Sequence, residues 1–460
     1  MFQTLNSLDP ETYAPRAALA DLPEIVRRPG GAVEYSFDLN EAATWPDGSP
    51  VTALDVEFTL KVLFNPLVEA GPYRPYYAMI SNVSLSPGNE KRFRIDTREP
   101  YILSEAALGS LPIYPEYVYD PEQSLRGIRL SDLLEPSLAE QLAKSNPVLA
   151  NFATRFNAAE WGREPEKVVG SGPYRLVSWK AGQELRLEKR PEYWGNTQPD
   201  EGLVAEPNAL VFTFVEDPVT MANGLRNQLF DAVVEPEISK FQELQAESST
   251  AKYYQMTTVP GFKYYALLLN TQDPRLADAA TRQALAHLVN VDQIIENFYN
   301  GLAQRIVGPI LPQKSYYHRE LTPLPYDPTK AIQLLAAAGW KDTNGNGTLD
   351  RENAGERQEL SLTVAAFNTE ISQAIALLFQ QSAKEVGIEV NIEAQEPRTL
   401  FANLNNGDFQ MATIGAGSDP NPDDLTQVWS TKSVPPAGSN RARFGNAETD
   451  ELSQQNSGHH

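Results

Sequence analysis

At 460 residues the chain is longer than one hydrophobic core normally supports, so two or three domains are expected. Its 41% hydrophobic and 21% charged content is that of an ordinary globular protein, and 38 basic against 60 acidic residues leave a net charge of −22, which argues against nucleic acid or an anionic membrane surface as a partner. Cysteine is absent, which excludes disulfides, thiolate metal sites and thiol nucleophiles, and no apolar run approaches the ~18 residues needed to span a bilayer.

Met1-Phe2-Gln3 opens into folded-looking sequence with no basic or apolar leader pattern, so an export signal is expected to have been removed or never present. Val33–Leu39 alternates as a strand, and Trp45-Pro46-Asp47-Gly48 carries turn chemistry. Thr52 stands three residues before Asp55, a capping box that opens a helix to about Phe64. Arg92–Thr97 alternates again, and Leu103–Lys144 is helical in patches. Gly170-Ser171-Gly172-Pro173 breaks the chain before a hairpin of Tyr174–Trp179 and Glu184–Glu188. Leu210–Val215 reads as a strand, Pro218–Asn227 as a helix and Ala232–Glu235 as a strand. Tyr264–Asn270 is nearly continuously apolar, which predicts a strand buried on both faces. Ala279–Val289 and Asp292–Tyr299 form a helical pair, and Asp327 caps a further helix with Pro328 at its first position and Gly339 past its end. The pattern changes near Pro260, where a domain boundary is expected.

The most informative stretch is Leu360–Asp424. Leu360–Phe367, Ile388–Gln395 and Phe409–Ile414 read as strands, separated by helices over Thr369–Val386 and Pro397–Asn405. This α/β alternation predicts a parallel sheet, whose ligands sit beyond the carboxyl ends of the strands. Gly415-Ala416-Gly417-Ser418-Asp419 falls at such an end, with small residues that admit another molecule and a carboxylate to meet it.

Four blocks, in order, resemble the family 5 extracellular solute-binding proteins, the dipeptide, oligopeptide and nickel receptors of ABC importers. Trp45-Pro-Asp-Gly-Ser-Pro-Val-Thr-Ala-Leu-Asp55 is similar to their W-S-D-G-x-P-(V/I)-T-A-x-D block, with Pro46 in place of the common Ser. Gly170-Ser-Gly-Pro-Tyr174 with Arg190-Pro-Glu-Tyr-Trp-Gly195 matches G-T-G-P-Y…N-P-x-Y-W-G. Asp278–Leu285 resembles D-x-x-V-R-x-A-L, with Thr281 where Val is usual, and Tyr326–Trp340 resembles Y-D-P-x-K-A-x-x-L-L-x-x-A-G-W.

The resemblance implies a two-lobed periplasmic-binding-protein-like α/β fold of type II, truncated at both ends relative to the family. Lobe one would take residues 1–48 and 166–260, an inserted subdomain 49–165, and lobe two 261–456, with 457–460 a tag remnant. It implies a monomeric periplasmic or extracellular receptor, lipid-anchored in its precursor, that captures short peptides between its lobes and hands them to an ABC permease. Oligosaccharide and nickel-chelate ligands stay open as alternatives.

On the same resemblance, Asp419 falls where peptide-binding relatives place the carboxylate that meets the ligand's amino terminus, and the bland alternative is a turn cap before Pro420. Thr413 and Ala416 replace a basic and a large aromatic residue, which removes a carboxylate anchor and widens the pocket. Glu235 and Glu237 lie where relatives contribute contacts from lobe one, and would favour a cationic ligand if they are more than solvated loop acids. Asp342, Asn344, Asn346 and Asp350 have calcium-loop spacing, but Asn353 stands where the closing Glu belongs, so a plain Asn-Gly turn is the favoured reading and no cofactor is expected. Catalysis is the rival class. Outside the tail there are two histidines, His287 and His318, and no nucleophile elbow, zinc-binding helix or phosphate loop, which leaves a hydrolase with paired carboxylates as the enzymatic alternative.

Overall fold

The computed structural model describes residues 1–71, 73–198, 201–353 and 355–458. His459 and His460 of the expected tag lie outside the described residues, while the last helix, Ala447–Gly458, runs through Ser457. The chain forms two compact units that part between Glu216 and Asp217, whereas the change of pattern placed a boundary near Pro260. Residues 217–260 belong to the second unit because they pack with later parts of the chain. Gln242 accepts a hydrogen bond from Asn300, and Glu235 pairs with Lys263.

In the first unit, strands β1 (Glu24–Arg27), β2 (Val33–Asp38), β3 (Ile80–Leu85) and β4 (Arg92–Thr97) make an antiparallel sheet in the order β1-β2-β4-β3. β2 alternates buried and half-buried positions, as its sequence does, and stacks Phe37 on Phe93 of β4 with centroids 5.2 Å apart. Helix α1 (Ala53–Phe64) carries two stripes: Val56 and Leu60 join the core of that sheet, while Phe58 and Val62 join a second core with Tyr119, Leu125, Leu149 and Phe152. A second sheet holds β5 (Tyr174–Lys180), β6 (Glu184–Lys189) and β7 (Ala209–Thr213), all antiparallel.

Two of the sequence blocks are scaffold devices of this unit. Asp55 is 7% exposed, and its carboxylate accepts from Thr52 N at 2.9 Å, Thr52 Oγ1 at 3.1 Å, Trp45 Nε1 at 3.3 Å and Glu116 N at 3.2 Å. One side chain thus closes the capping box, fixes the Trp45 turn and ties in a segment sixty residues on. In the Gly-Ser-Gly block, Gly172 N donates to Met1 O at 2.7 Å, and a Cβ on Gly172 would stand 2.5 Å from that oxygen. Buried Arg190 of the paired block donates to the carbonyls of Gly170 and Gly172, both at 3.0 Å.

The second unit is built on a four-stranded sheet of β8 (Lys263–Leu269), β11 (Ser361–Phe367), β12 (Glu389–Gln395) and β13 (Met411–Gly417), in the order β8-β13-β11-β12. Between β8 and β11 come helices α2 (Ala279–Ala286), α3 (Val291–Tyr299) and α4 (Pro328–Ala337), and the hairpin of β9 (Asp350–Asn353) and β10 (Glu356–Glu359). Helix α5 (Glu370–Glu385) links β11 to β12, and α6 (Pro397–Asn406) links β12 to β13. β11 pairs parallel with both β12 and β13, as the alternation predicts. The sheet is nevertheless mixed, because β8 pairs antiparallel with β13. β8 is also half exposed rather than buried on both faces, since it is an edge strand, and Tyr265 is 40% exposed. The strand predicted at Ala232–Glu235 is absent. Glu235 takes a left-handed φ of 50°, Val234 is exposed, and no described strand pairs with this run.

The two blocks of the second unit interlock. Trp340 Nε1 donates to Thr281 Oγ1 at 2.8 Å, Thr281 Oγ1 donates to Asp278 Oδ2 at 2.7 Å, and Arg351 pairs with the same carboxylate at 2.9 Å while lying 4.1 Å over the Trp340 ring. The threonine that departs from the family pattern therefore satisfies the indole of a fully buried tryptophan.

Candidate functional site

The strand expected to end at Ile414 continues through Gly417, because β8 supplies a partner for three more residues: Tyr265, Tyr264 and Lys263 stand opposite Gly415, Ala416 and Gly417. Ser418 N donates to Phe262 O at 2.7 Å. In an antiparallel pair the backbone groups of successive residues point alternately toward and away from the partner. Ser418 and Ala416 therefore face β8, and Gly415 and Gly417 turn their N–H and C=O groups to the opposite edge. On that edge the ladder with β11 ends at Ala365–Ala412. Beyond it, among the described residues, no strand covers Gly415–Gly417.

The surroundings of this edge are aromatic and polar. Tyr265 packs over Gly415, where an added Cβ would meet its ring at 3.3 Å, and its ring lies 6.3 Å from that of Tyr299 on α3. Burial first, then the neighbouring Tyr265, raises the Tyr299 hydroxyl above the usual tyrosine range. Nothing within 4 Å would meet a Cβ on Gly417. Thr413 shares its strand face with Gly415 and Gly417 but is 1% exposed, with no hydrogen-bond partner for its Oγ1, so it is enclosed where the two glycines are exposed.

Asp419 lies just past the strand, exposed, with Oδ1 accepting from Asn421 N at 2.7 Å. This is the turn cap of the bland reading, yet a carboxylate keeps further acceptor sites after one such bond. Glu235 approaches the same strand end through its 2.8 Å ion pair with Lys263, which stands opposite Gly417. Glu237 does not join them: it caps the helix Ile238–Ala246 by accepting from Ser239 N at 3.1 Å. His287 is buried and bonds Pro325 O through Nδ1 at 2.8 Å.

Two residues not singled out from the sequence organise the loop after β13. Lys314, 5% exposed, donates to the carbonyls of Asp419, at 2.5 Å, and of Asn421. Tyr316 Oη donates to Asp423 Oδ2 at 2.8 Å and accepts from Asp423 N at 2.9 Å. Burial and the adjacent Asp423 carboxylate raise the Tyr316 hydroxyl well above its usual range. The readable signal was Pro420 and Pro422, which leave the run Asp419–Asp423 short of its own N–H donors.

In the loop with calcium spacing, Asp342 accepts from Gly345 N at 2.7 Å and Gly347 N at 3.0 Å, and Asp350 accepts from Thr343 N at 3.0 Å. Asn344 and Asn346 accept from Asn346 N and Thr348 N at 3.0 and 2.8 Å. The oxygens hold the turn itself. We expect calcium and EDTA to give the same melting temperature, whereas an ion present at 100 times its Kd would add about 2.7 kcal/mol.

Among the described residues no helix is long and apolar enough to cross a membrane. Residues 30–438 match the model of the bacterial extracellular solute-binding proteins, family 5. The oligopeptide-binding protein AppA of Bacillus subtilis is 26% identical over 440 residues, 94% of this chain and 71% of the relative. The solved AppA complex with a nonapeptide superposes with a TM-score of 0.72 at 22% identity, covering 99% of this chain and 80% of that one. NikZ from Campylobacter jejuni, solved with Ni(L-His), gives 0.73 at 21% identity, with 99% and 80% coverage. The match over residues 30–438, and the two-lobed α/β fold shared with these structures, establish that the chain belongs to the bacterial extracellular solute-binding proteins of family 5 and is a substrate-binding receptor.

Proposed function

We propose that the protein captures short peptides outside the cytoplasm, as a monomer, and delivers them to an ABC permease in the membrane, with a lipid anchor on its precursor. The observation that carries this reading is the open edge of β13 at Gly415–Gly417. An extended peptide is the ligand whose own N–H and C=O groups repeat at the spacing of such an edge, and adding it as a strand gives affinity through main-chain bonds with tolerance of side chains. The glycines keep the edge clear, and the exposed carboxylate of Asp419 at its end suits the ammonium of a peptide's amino terminus. The relatives' names, oligopeptide-binding AppA among them, support the same ligand class.

We read the protein as a receptor without catalytic turnover. Incubation with mixed short peptides is expected to raise the melting temperature for some of them and to leave all of them intact by mass spectrometry. Reproducible cleavage that disappears when one acidic residue is replaced would overturn the receptor reading. Native mass spectrometry of protein purified from its source tests the ligand class, and a co-purified sugar or metal chelate with no peptide would overturn that part.

A further inference from the structure

We infer that Lys314 is a positioning residue for ammonium recognition: it holds the loop after β13 so that the Asp419 carboxylate stands at the end of the open strand edge. The inference rests on the peptide reading above and assigns a task to a residue that need not touch the peptide. A lysine ammonium 5% exposed is costly to bury unless each of its donors is met. Here it donates to the carbonyls of Asp419 and Asn421, lies 3.7 Å from Asp423 Oδ1 and sits 5.9 Å from the centre of the Phe262 ring. The two carbonyls bracket the turn in which Asn421 N bonds Asp419 Oδ1. Pro420 and Pro422 carry no N–H, so the loop cannot gather these carbonyls with its own backbone donors and needs one from outside. Lys314 is that donor, and it comes from a segment about a hundred residues earlier.

The charge arrangement fits the same task. Lys314 is directed at the carbonyls, and Asp423 is engaged by Tyr316 and by Ser418 Oγ at 3.2 Å. The resident cation therefore fixes the loop without occupying the Asp419 carboxylate, whose remaining acceptor sites stay available to an incoming ammonium.

The test compares tetra-alanine with N-acetyl-tetra-alanine by calorimetry on the intact protein. The wild type is expected to prefer the free amine by at least about tenfold. In Lys314→Met the preference should fall to within about threefold, while affinity for the acetylated peptide, held by the strand edge alone, changes by less than about threefold. Lys314→Arg keeps charge and donors and should return most of the preference. A folded Lys314→Met that keeps the full preference overturns the inference, and so does one that weakens both peptides equally, since that is a structural defect alone. If Lys314→Met does not fold, Tyr316→Phe loosens the same loop, and a full preference in that variant overturns the inference. A wild type that does not distinguish the two peptides overturns the Asp419 reading itself, and the inference with it.

Discussion

Replacing Asp55 with alanine is expected to destabilise the first unit by at least about 3 kcal/mol, because it strands several donors at once and each buried polar group left unpaired costs roughly 1–3 kcal/mol. Four donors converge on this carboxylate, two from Thr52, one from Trp45 and one from Glu116. Alanine leaves Thr52 N, the Trp45 indole and Glu116 N without their acceptor. Asn would fill the space but turn an NH₂ toward some of the same donors, so Asp55→Asn should recover part of the loss and no more. The effect also has a pH dependence of definite sign. Burial raises the Asp55 carboxyl above the ordinary aspartate range despite its four donors. A pKa higher in the folded than in the unfolded state favours folding fully below the unfolded value, and that contribution is lost as pH rises through the folded value. The advantage of the wild type over Asp55→Ala should therefore be largest in acid and decline through the raised pKa. Urea denaturation followed by tryptophan fluorescence, to which buried Trp45 contributes, measures both quantities. A variant within about 1 kcal/mol of the parent, or an advantage that grows with pH, would show that Asp55 is not the keystone of its block.

Legibility in the sequence tracks the range of the forces involved. The capping box at Thr52–Asp55, the Asp327 cap and the helices around β11 and β12 are set by residues three or four apart, and each formed within a residue or two of its expected limits. Where strand identity depends on a distant partner, expectation and structure differ. Val233 and Val234 favour a strand locally, but no described edge receives them. β13 runs three residues beyond Ile414 because β8, more than a hundred residues earlier, is there to pair with it. The apolar run of β8 looked two-sided, yet its edge position exposes Tyr265.

The candidate site divides along the same line. The small residues after Ile414 and the acid at 419 are local features that the sequence displays directly. Which backbone edge they present is a matter of register, and register is not written in five residues. Thr413 shows the difference: it lies in the same short segment and on the same strand face as Gly415 and Gly417, but tertiary packing encloses it where the two glycines are exposed. Lys314 was unreadable for a related reason, since a single lysine in an apolar, proline-containing segment gives no sign of the loop it will meet.

The second large effect belongs to Asp419. Asp419→Ala is expected to weaken binding of a peptide with a free amino terminus by on the order of 2–5 kcal/mol, the loss typical when one partner of a desolvated charge pair is removed. Stability should barely change, because the side chain is exposed and its hydrogen bond to Asn421 N is a surface turn contact. Lys314 continues to hold the carbonyls of Asp419 and Asn421 in the variant, since neither bond uses the removed carboxylate. Acetylating the peptide's amino terminus removes the other half of the same pair and should cost a similar amount. The two losses should not add: once the ammonium is gone the carboxylate has nothing to meet, so the doubly altered complex should bind about as well as either singly altered one. Calorimetry on the four combinations of protein and peptide decides it. Additive losses, or an Asp419→Ala protein that binds the free peptide as well as the parent does, would mean that the amino terminus is anchored elsewhere and that this carboxylate only caps its turn.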